Sequence, residues 1–381
     1  MYSIIGFPKA ANVAREQRIL PTLPSLRSIS RTPAVKEKPP PEAPPPIVPS
    51  DPIFNYHTLE FLDGETLMPG TTYHYNAGII PHKDGYRLFY RTGGEPKMIY
   101  DRIATCLLKS NRKVIEGTHK YIKTHSDGSL VTTWALRDMT IEKPVPDGYH
   151  CEDPRVVEHK GALFLSYTDG IRMAVAKLNI NTCETIYTHY LDAPPTVVHG
   201  ESDGREKNWV PFSWGDHLCF LYSDVPRQIF RFSDTGLKLM IEDAGIPIMP
   251  TLYPGGTIRG GCPPVKYSDG HMIWFFHVSK DGMYSIGAYI TRGFSPVVHV
   301  IQSPILKGHP QPKYQSGLIT KDNVVYPCGA VETDSGWTIS MGVNDYKIGF
   351  LHVPRSVIEK HVPALAGIVS KIPNRAGMST L

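Results

Sequence analysis

The sequence predicts an all-β protein, a five-bladed β-propeller with a proline-rich N-terminal arm and a short C-terminal helix. Two observations predict this fold. A unit of strand, tight polar turn, aromatic-rich strand and further short strand repeats five times, at spacings of about 55 to 75 residues. Helical periodicity is nearly absent before Ser356. Propellers contain four to eight such blades, so five repeats suit one closed ring.

The first 55 residues are expected to form an arm outside the ring. Residues 1–32 hold five basic residues against one acidic residue, which accounts for the whole net charge of +4. Residues 33–52 hold nine prolines, a composition that favours extended polyproline II chain over a packed element. We therefore predict an arm over residues 1–55, a propeller over residues 56–355 and a helical tail over residues 356–381.

Each unit of the repeat contains a turn, usually with glycine, followed by a strand rich in aromatic residues. These segments are residues 83–91, 159–167, 214–222, 268–277 and 334–341. Asp-Gly and Lys-Gly between such runs indicate hairpins. The third strands are predicted at residues 102–107, 172–177, 228–231, 284–289 and 347–352. After the last unit, Ser356 and Glu359 have the spacing of a capping box that starts a helix, and Pro363 would interrupt that helix.

Charge and cysteine content narrow the possible functions. Beyond residue 32, basic and acidic residues are equal in number, so no nucleic-acid partner is expected, because phosphate contacts need clustered Lys and Arg. No apolar run approaches the roughly 18 residues that span a bilayer. The six cysteines lack metal-ligand spacing. They are expected to be free thiols in a cytoplasmic protein without a metal site; the basic leader makes organelle targeting the alternative.

The inner ends of propeller blades meet at one axial channel, so residues that precede each hairpin should converge. Those positions are polar here: residues 75–76, 152–153, 207–208, 259–264 and 326–329. The run Glu152-Asp153-Pro154-Arg155 places two carboxylates, a rigid proline and a guanidinium at the start of a hairpin. We interpret Asp153 as a candidate catalytic acid. The alternative is a loop in which Pro154 fixes φ and the charges face water.

Nine short motifs, in order on this repeat, resemble glycoside hydrolase family 130. That family of five-bladed propellers includes inverting β-mannoside phosphorylases, β-mannosidases and mannosyltransferases. The resemblance spans roughly residues 70–353. The motifs are Asn76-x-Gly78, Leu88-Phe-Tyr-Arg91, Arg102-Ile-Ala, Glu152-Asp-Pro-Arg155, Lys207-Asn208, Gly260-Gly-Cys-Pro-Pro264, His277, Tyr326-Pro-Cys-Gly-Ala330 and Gly342-Val-Asn-Asp345 followed by Ile348-Gly349.

By this resemblance Asp153 is the general acid, which protonates the glycosidic oxygen through a hydroxyl of bound mannose while phosphate attacks the anomeric carbon from the opposite face. Phosphate is already anionic, so one carboxylate suffices where an inverting hydrolase uses two. No cofactor is expected; inorganic phosphate is a co-substrate. Asp153 must hold its proton to act as an acid, which favours a dry, sugar-covered site.

The resemblance also implies ligands for the two substrates. The mannose ligands would be Asn76, Arg91, Glu152, Arg155, Asn208 and Asp345, and the phosphate ligands Lys207, Arg259, His277 and Tyr284. Each has a structural alternative, such as a strand-end arginine, a turn residue or a core histidine. An aromatic ring is expected to stack on the sugar, and the candidates are Tyr75, Trp209 and Tyr284.

The sequence departs from the resemblance at Ser223, where a second basic residue would be expected. The loss of one cation weakens the anion site and leaves Arg227, four residues further on, as a possible replacement. Three functions therefore stay open: phosphorolysis of a β-mannoside or its synthetic reverse, a β-mannosidase or mannosyltransferase on the same fold, and a non-catalytic propeller. The last would be held in a homo-oligomer or larger assembly by residues 1–55.

Overall fold

The computed structural model describes residues 51–62, 67, 73–83, 85–93, 102–123, 134–136, 139–141, 151–169, 172–191, 206–233, 236–243, 252–310 and 322–362. Residues 1–50 and those beyond 362, including Pro363, lie outside the described residues. The boundaries of the arm and tail, and assembly through the arm, therefore stay predictions. Within the described ranges, no helix is long and apolar enough to cross a membrane.

The described chain opens with a 3-10 turn at Tyr56–Thr58 and strand β1 (Glu60–Phe61). Blade 1 contains β2 (Tyr73–His82), β3 (Gly85–Gly93), β4 (Arg102–Lys109) and β5 (Lys120–Tyr121). A separate hairpin follows, made of β6 (Trp134–Leu136) and β7 (Met139–Ile141). Blade 2 contains β8 (Glu152–His159), β9 (Ala162–Thr168), β10 (Met173–Asn179) and β11 (Thr185–Leu191). Blade 3 contains β12 (Val210–Trp214), β13 (His217–Asp224), β14 (Arg227–Ser233) and β15 (Gly236–Asp243).

The first and last strands of blade 4 are each split in two. Its strands are β16 (Thr257–Gly260), β17 (Val265–Ser268), β18 (His271–Lys280), β19 (Met283–Arg292), β20 (Val297–Val300) and β21 (Leu306–Lys307). Blade 5 contains β22 (Val325–Thr333), β23 (Gly336–Val343) and β24 (Lys347–Pro354), and takes β1 as its fourth strand. A strand from the start of the described chain thus closes the ring, which the repeat pattern did not indicate.

The hairpins form where the sequence predicted them, because their turn residues accept a left-handed backbone. In the turn predicted at the start of residues 159–167, Lys160 and Gly161 have φ of 49° and 70°. Asp281 and Gly282, in a further hairpin between β18 and β19, have φ of 49° and 78°. Positive φ at both central residues matches the right-handed twist of the flanking strands. The five-bladed, all-β prediction is confirmed.

The hydrophobic core lies in layers between neighbouring blades. Phe212 of blade 3 packs in one cluster with Trp274 of blade 4, and Phe89 of blade 1 packs in another with Leu165 of blade 2. Similar clusters join blades 2 and 3, blades 4 and 5, and blades 5 and 1. Burial of each large apolar side chain contributes about 1.5–3 kcal/mol. Interblade packing therefore holds the inner strands in place.

The two ends of the described chain differ from the expected pattern. Ile53 and Phe54, assigned to the arm, donate backbone hydrogen bonds to the carbonyls of residues 304 and 305 at 2.8 and 3.0 Å. The C-terminal helix α1 (Arg355–Lys360) has Pro354 at its N-cap position and no side-chain cap. The capping box predicted at Ser356 is therefore wrong, because the helix begins directly after β24 and Ser356 already lies in its first turn.

Candidate active site

The first strands of the blades surround the axis and are interrupted there. Strand β2 contacts β8 and β22, and β8 also contacts β12. Register breaks follow Tyr75 in β2 and Glu152 in β8. Next to them, Asn76 and Asp153 have φ of 49° and 56°, and Asn208, just before β12, has φ of 68°. Asn and Asp tolerate this left-handed conformation better than other side chains, and such bulges turn a side chain out of its strand's alternation.

Glycines allow the inner strands to approach closely. A Cβ atom on Gly78 would lie 2.8 Å from the carbonyl oxygen of Pro154 in the neighbouring blade. A Cβ atom on Gly342 would collide with the side chain of Asn76. These glycines leave room for the polar side chains at the axis.

Asp153 lies in a buried polar group that we call the axial cluster: Asn76, Arg91, Asp153, Arg155 and Tyr326. Asp153 is 8% exposed. Asn76 Nδ2 donates a hydrogen bond to Asp153 Oδ1 at 2.6 Å, and Arg91 Nη1 lies 3.5 Å from the same oxygen. Two side chains of blade 1 therefore meet the carboxylate of blade 2.

Arg91 connects the two carboxylates of the motif. Its Nη2 donates to Glu152 Oε1 at 2.9 Å, and its guanidinium lies over the ring of Tyr75, 4.8 Å from the centroid. The side chain of Arg91 is 6% exposed and that of Glu152 14% exposed. The pair is a fixed polar wall beside Asp153.

The environment of Asp153 keeps it ionised. Burial raises the pKa of Asp153, but the charges of Arg91 and Arg155, the hydrogen bond from Asn76 and the charge of Lys207 together lower it below its ordinary value. The sequence predicts that Asp153 holds its proton in a dry, sugar-covered site. In the protein without sugar, the nearby cations outweigh burial and favour the carboxylate.

Arg155 is fully buried, and each of its three side-chain nitrogens donates to a protein acceptor. Nε donates to the Gly261 carbonyl at 2.7 Å, and Nη1 donates to the carbonyl of Asp153 at 3.2 Å. Nη2 lies 3.3 Å from Asn208 Oδ1, 3.3 Å from the Gly260 carbonyl and 3.1 Å from the hydroxyl of Tyr326. The same hydroxyl donates to Asn208 Oδ1.

The residues predicted to bind phosphate lie in blades 3 and 4. Lys207 precedes β12, and its charge acts on Asp153. Arg259 pairs with His277 in the register of β16 and β18. The rings of His277 and Tyr284 stack at 5.9 Å with an interplanar angle of 9°. A cationic group and an aromatic pair thus lie beside the axial cluster.

His277 is neutral in these surroundings. Burial, together with the charges of Arg155 and Arg259, lowers the pKa of His277 to about 3. Its Nδ1 lies 3.1 Å from the carbonyl oxygen of Gly260, which only accepts hydrogen bonds. His277 therefore offers an anion no positive charge, which leaves Lys207 and Arg259 as the cations.

Arg227 does not replace the cation missing at Ser223. It is fully buried between blades 3 and 4 with Asp224, Trp274 and Tyr289, a group that we call the interblade cluster. Its Nη1 donates to the hydroxyl of Tyr289 at 2.5 Å and lies 3.6 Å from Asp224 Oδ1, and its guanidinium lies over Trp274. This hypothesis was wrong because the interface offers Arg227 an aspartate of its own.

Two other predicted ligands lie at the same end of the blades. Asp345 is in the turn between β23 and β24, with φ of 52°, directly after Asn344. Asn344 fixes the turn, since it accepts from the backbone of Val324 at 2.9 Å, just before β22. Asn208 is 5% exposed and its Oδ1 is used by Arg155 and Tyr326.

The aromatic candidates for a sugar platform differ in access. Trp209 is fully buried in the layer between blades 2 and 3, and Tyr75 is 1% exposed beneath Arg91. Neither ring presents a face for stacking, because hydrophobic packing or a guanidinium covers it. Tyr284 is partly exposed and is the candidate that remains.

Sequence reasoning missed roles for Tyr326 and Glu206. The Glu206 carboxyl accepts from Trp209 Nε1 at 3.1 Å and from the hydroxyl of Tyr222 at 3.2 Å. Burial raises the pKa of Glu206, although those hydrogen bonds and the charge of Arg259 oppose the shift. The position of Glu206 in the sequence, directly before the predicted phosphate ligand Lys207, was the signal that could have indicated its place near the site.

Comparisons with known proteins identify the family of the chain. The sequence model of glycoside hydrolase family 130, described as β-1,4-mannooligosaccharide phosphorylase, matches residues 96–361. The 1,2-β-oligomannan phosphorylase of a Thermoanaerobacter species is 23% identical over 232 residues, which cover 58% of this chain and 76% of that protein. The β-1,2-mannobiose phosphorylase of Listeria innocua is 29% identical over 100 residues, but the match spans only 26% of this chain and 27% of that protein.

Solved structures show the same fold. The Listeria innocua β-1,2-mannobiose phosphorylase, in complex with β-1,2-mannobiose, aligns with a TM-score of 0.53 at 14% identity, over 80% of this chain and 99% of that chain. A putative glycosidase of Bacteroides thetaiotaomicron aligns with a TM-score of 0.52 at 12% identity, over 77% and 95% of the two chains. The chain therefore shares the fold of these carbohydrate-active proteins. The chain belongs to glycoside hydrolase family 130.

Proposed function

We propose that the protein splits a β-mannoside by inverting phosphorolysis, or makes one by the reverse reaction. The observation that carries this proposal is the axial cluster, in which a buried carboxylate, Asp153, is held among Arg91, Arg155 and Lys207 where the blades converge. Family membership and the phosphorylase names of two relatives support it.

In the proposed reaction an oxygen of inorganic phosphate forms a bond to the anomeric carbon while the bond from that carbon to the glycosidic oxygen breaks. The leaving oxygen takes the proton of Asp153, passed on through a hydroxyl of the bound mannose. The products are mannose 1-phosphate and the shortened saccharide. No general base is required, because phosphate brings its own negative charge.

Asp153 must gain a proton before it can give one. Lys207 and Arg259 would bind the phosphate, whose charge offsets the cations that lower the pKa of Asp153. A bound mannoside would also displace water and strengthen this interaction. Phosphate binding therefore raises the pKa of Asp153, and the acid is protonated when both substrates are present.

The mannose ring is proposed to lie against the wall formed by Arg91 and Glu152. Arg91 already bonds both carboxylates of the motif, and charged partners of sugar hydroxyls are among the stronger hydrogen bonds. Asn76 and Asp345 would add further contacts, and Tyr284 would contact a ring face. This assignment supports mannose specificity without naming the acceptor sugar.

Hydrolysis is a second candidate function. It is favoured by Ser223, which stands where a cation would strengthen phosphate binding, and by Glu206, whose carboxyl has a raised pKa near Arg259. A water molecule could then replace phosphate as the nucleophile and give its proton to Glu206. Free mannose would be the product.

The test is to incubate the protein with mannose 1-phosphate and a panel of acceptor sugars, and to measure released phosphate. Phosphorolysis run in reverse predicts phosphate release that depends on one class of acceptor. Release of phosphate at the same rate without any acceptor would indicate simple hydrolysis of the donor and would contradict the proposal. Absence of turnover in both directions would favour a non-catalytic propeller.

A further inference from the structure

We infer that Arg155 is a positioning residue, which holds the catalytic acid and the loop beside the phosphate ligands in one geometry, and is not a sugar ligand. The inference rests on the proposed function, since it gives Arg155 a task in that reaction. It corrects the expectation that Arg155 binds substrate.

Each nitrogen of the Arg155 guanidinium is already engaged by the protein. Nε, Nη1 and Nη2 of Arg155 all donate to protein oxygens, at distances of 2.7 to 3.3 Å. The residue is 0% exposed, and its guanidinium lies over the ring of Tyr326, 5.5 Å from the centroid. Because no part of Arg155 is exposed, a sugar hydroxyl would have to open this packing to reach the guanidinium.

The hydrogen bonds of Arg155 also reach several blades. Arg155 in β8 of blade 2 reaches Asn208 before blade 3, the carbonyls of Gly260 and Gly261 in blade 4, and Tyr326 in blade 5. One side chain therefore joins four of the five blades at the axis. A guanidinium can do this because its donors lie in a rigid planar fork, which an ammonium lacks.

Arg155 also holds the backbone of the proposed acid and of the phosphate region. Nη1 bonds the carbonyl of Asp153 itself, where the backbone has φ of 56°. A residue in that conformation persists when its surroundings fix it. The Gly260 carbonyl, which Arg155 also bonds, accepts from His277. Arg155 thus connects the acid to the residue pair Arg259 and His277 in the phosphate region.

Charge and position must be separated in the test, because several groups act on Asp153. The charged and titratable groups around it are Arg91, Glu152, Arg155, Lys207, His277, Tyr326 and Cys328. Arg155→Lys keeps the positive charge but loses the fork. Arg155→Met removes both. Comparison of the two variants therefore distinguishes geometry from electrostatics.

Arg227→Lys is a matched control. Arg227 is also 0% exposed, stacks on aromatic rings and bonds a tyrosine hydroxyl, but belongs to the interblade cluster. The experiment measures kcat, KM for the mannoside and melting temperature for each variant. Carboxyl ¹³C NMR, assigned with Asp153→Asn, follows the titration of Asp153.

The expected result is that both Arg→Lys variants lower the melting temperature, while only Arg155→Lys lowers kcat, by about 10²-fold, the usual effect of a small misplacement of catalytic groups. Its KM for the mannoside should stay within about twofold, since no sugar contact is lost. Arg155→Met should also move the titration of Asp153 to higher pH.

Three results would overturn the inference. A raised KM for the mannoside with unchanged kcat in Arg155→Lys would make Arg155 a sugar ligand. Equal losses of kcat in Arg155→Lys and Arg227→Lys, or no loss in either, would leave only a structural role. If the wild-type protein shows no phosphorolysis, the proposed function fails first. The inference then depends on the NMR titration alone, and an Asp153 titration that is unchanged in both Arg155→Lys and Arg155→Met would refute it.

Discussion

The axial cluster and the interblade cluster are built from similar residues, but the pKa of the aspartate is shifted in opposite directions in the two. Each contains a buried aspartate, a fully buried arginine and a tyrosine. In the interblade cluster the Tyr289 hydroxyl donates to Asp224 Oδ1 at 2.6 Å, and Arg227 lies 3.6 Å from the same oxygen. In the axial cluster Asn76 takes the place of that tyrosine beside Asp153. Burial of an ion pair therefore does not by itself mark a functional site.

The number of nearby cations explains why the pKa values of Asp153 and Asp224 shift in opposite directions. Burial raises the pKa of Asp224, and Arg227 and the hydrogen bond from Tyr289 only partly oppose it. Burial also raises the pKa of Asp153, but three cations and Asn76 outweigh it and lower the pKa. An aspartate with surplus positive charge responds to an arriving anion, whereas one with a single partner has its charge already neutralised.

Exchange of each aspartate for asparagine should give the largest contrast. Asp153→Asn keeps the shape of the side chain but removes the transferable proton, so turnover should fall by about 10² to 10⁴, the usual share of acid catalysis. Asp224→Asn should lower the melting temperature and leave turnover unchanged, because it leaves Arg227 without a counter-charge. Steady-state rates and thermal unfolding of both variants check this. Full activity in a folded Asp153→Asn variant would reject Asp153 as the acid.

The comparison also shows how far the sequence could predict the molecule. The five hairpins and the convergence of polar strand ends depend on local turn chemistry and on the repeat, and both were predictable. The direction in which the Arg227 side chain points was not predictable, because it is set by contacts with Asp224 and Tyr289 on two different blades. The burial of Trp209 against blade 2 depends on the same kind of long-range packing.

The ionisation of Asp153 could not be predicted from the sequence either, because it also depends on contacts between blades. Residues from three blades set it, and β-bulges turn two of them, Asn76 and Asp153, toward each other. Ring closure by β1 was missed because two residues, Glu60 and Phe61, are too short a strand to show a pattern.

A smaller effect is expected from removal of one phosphate contact. Arg259→Ala should raise KM for phosphate by about 10- to 100-fold, since a hydrogen bond to a charged group contributes roughly 1.5–3 kcal/mol. Lys266→Ala is the control, because Lys266 lies in the same blade but pairs with Asp269 at an exposed position. Initial rates across a phosphate series give both constants. An unchanged KM in Arg259→Ala would remove Arg259 from the phosphate site.

The finest test of the electrostatic contrast is the pH profile of Arg91→Gln. The charge of Arg91 lowers the pKa of Asp153, so its loss raises that pKa and the acid keeps its proton to higher pH. The alkaline limb of kcat should therefore move to higher pH, even though sugar binding weakens. Arg112→Gln is the control, because Arg112 pairs with Glu60 away from the axis. A shift of the limb to lower pH would show that the limb reports another group.

The most direct test of the account is ¹H and ³¹P NMR of the reaction mixture during the first turnovers of a β-mannoside with phosphate. Inverting phosphorolysis predicts α-mannose 1-phosphate as the first product, in proportion to the phosphate consumed, and no product when phosphate is left out. Release of free mannose at the same rate without phosphate, or formation of the β-anomer of mannose 1-phosphate, would contradict the proposed reaction at the axial cluster.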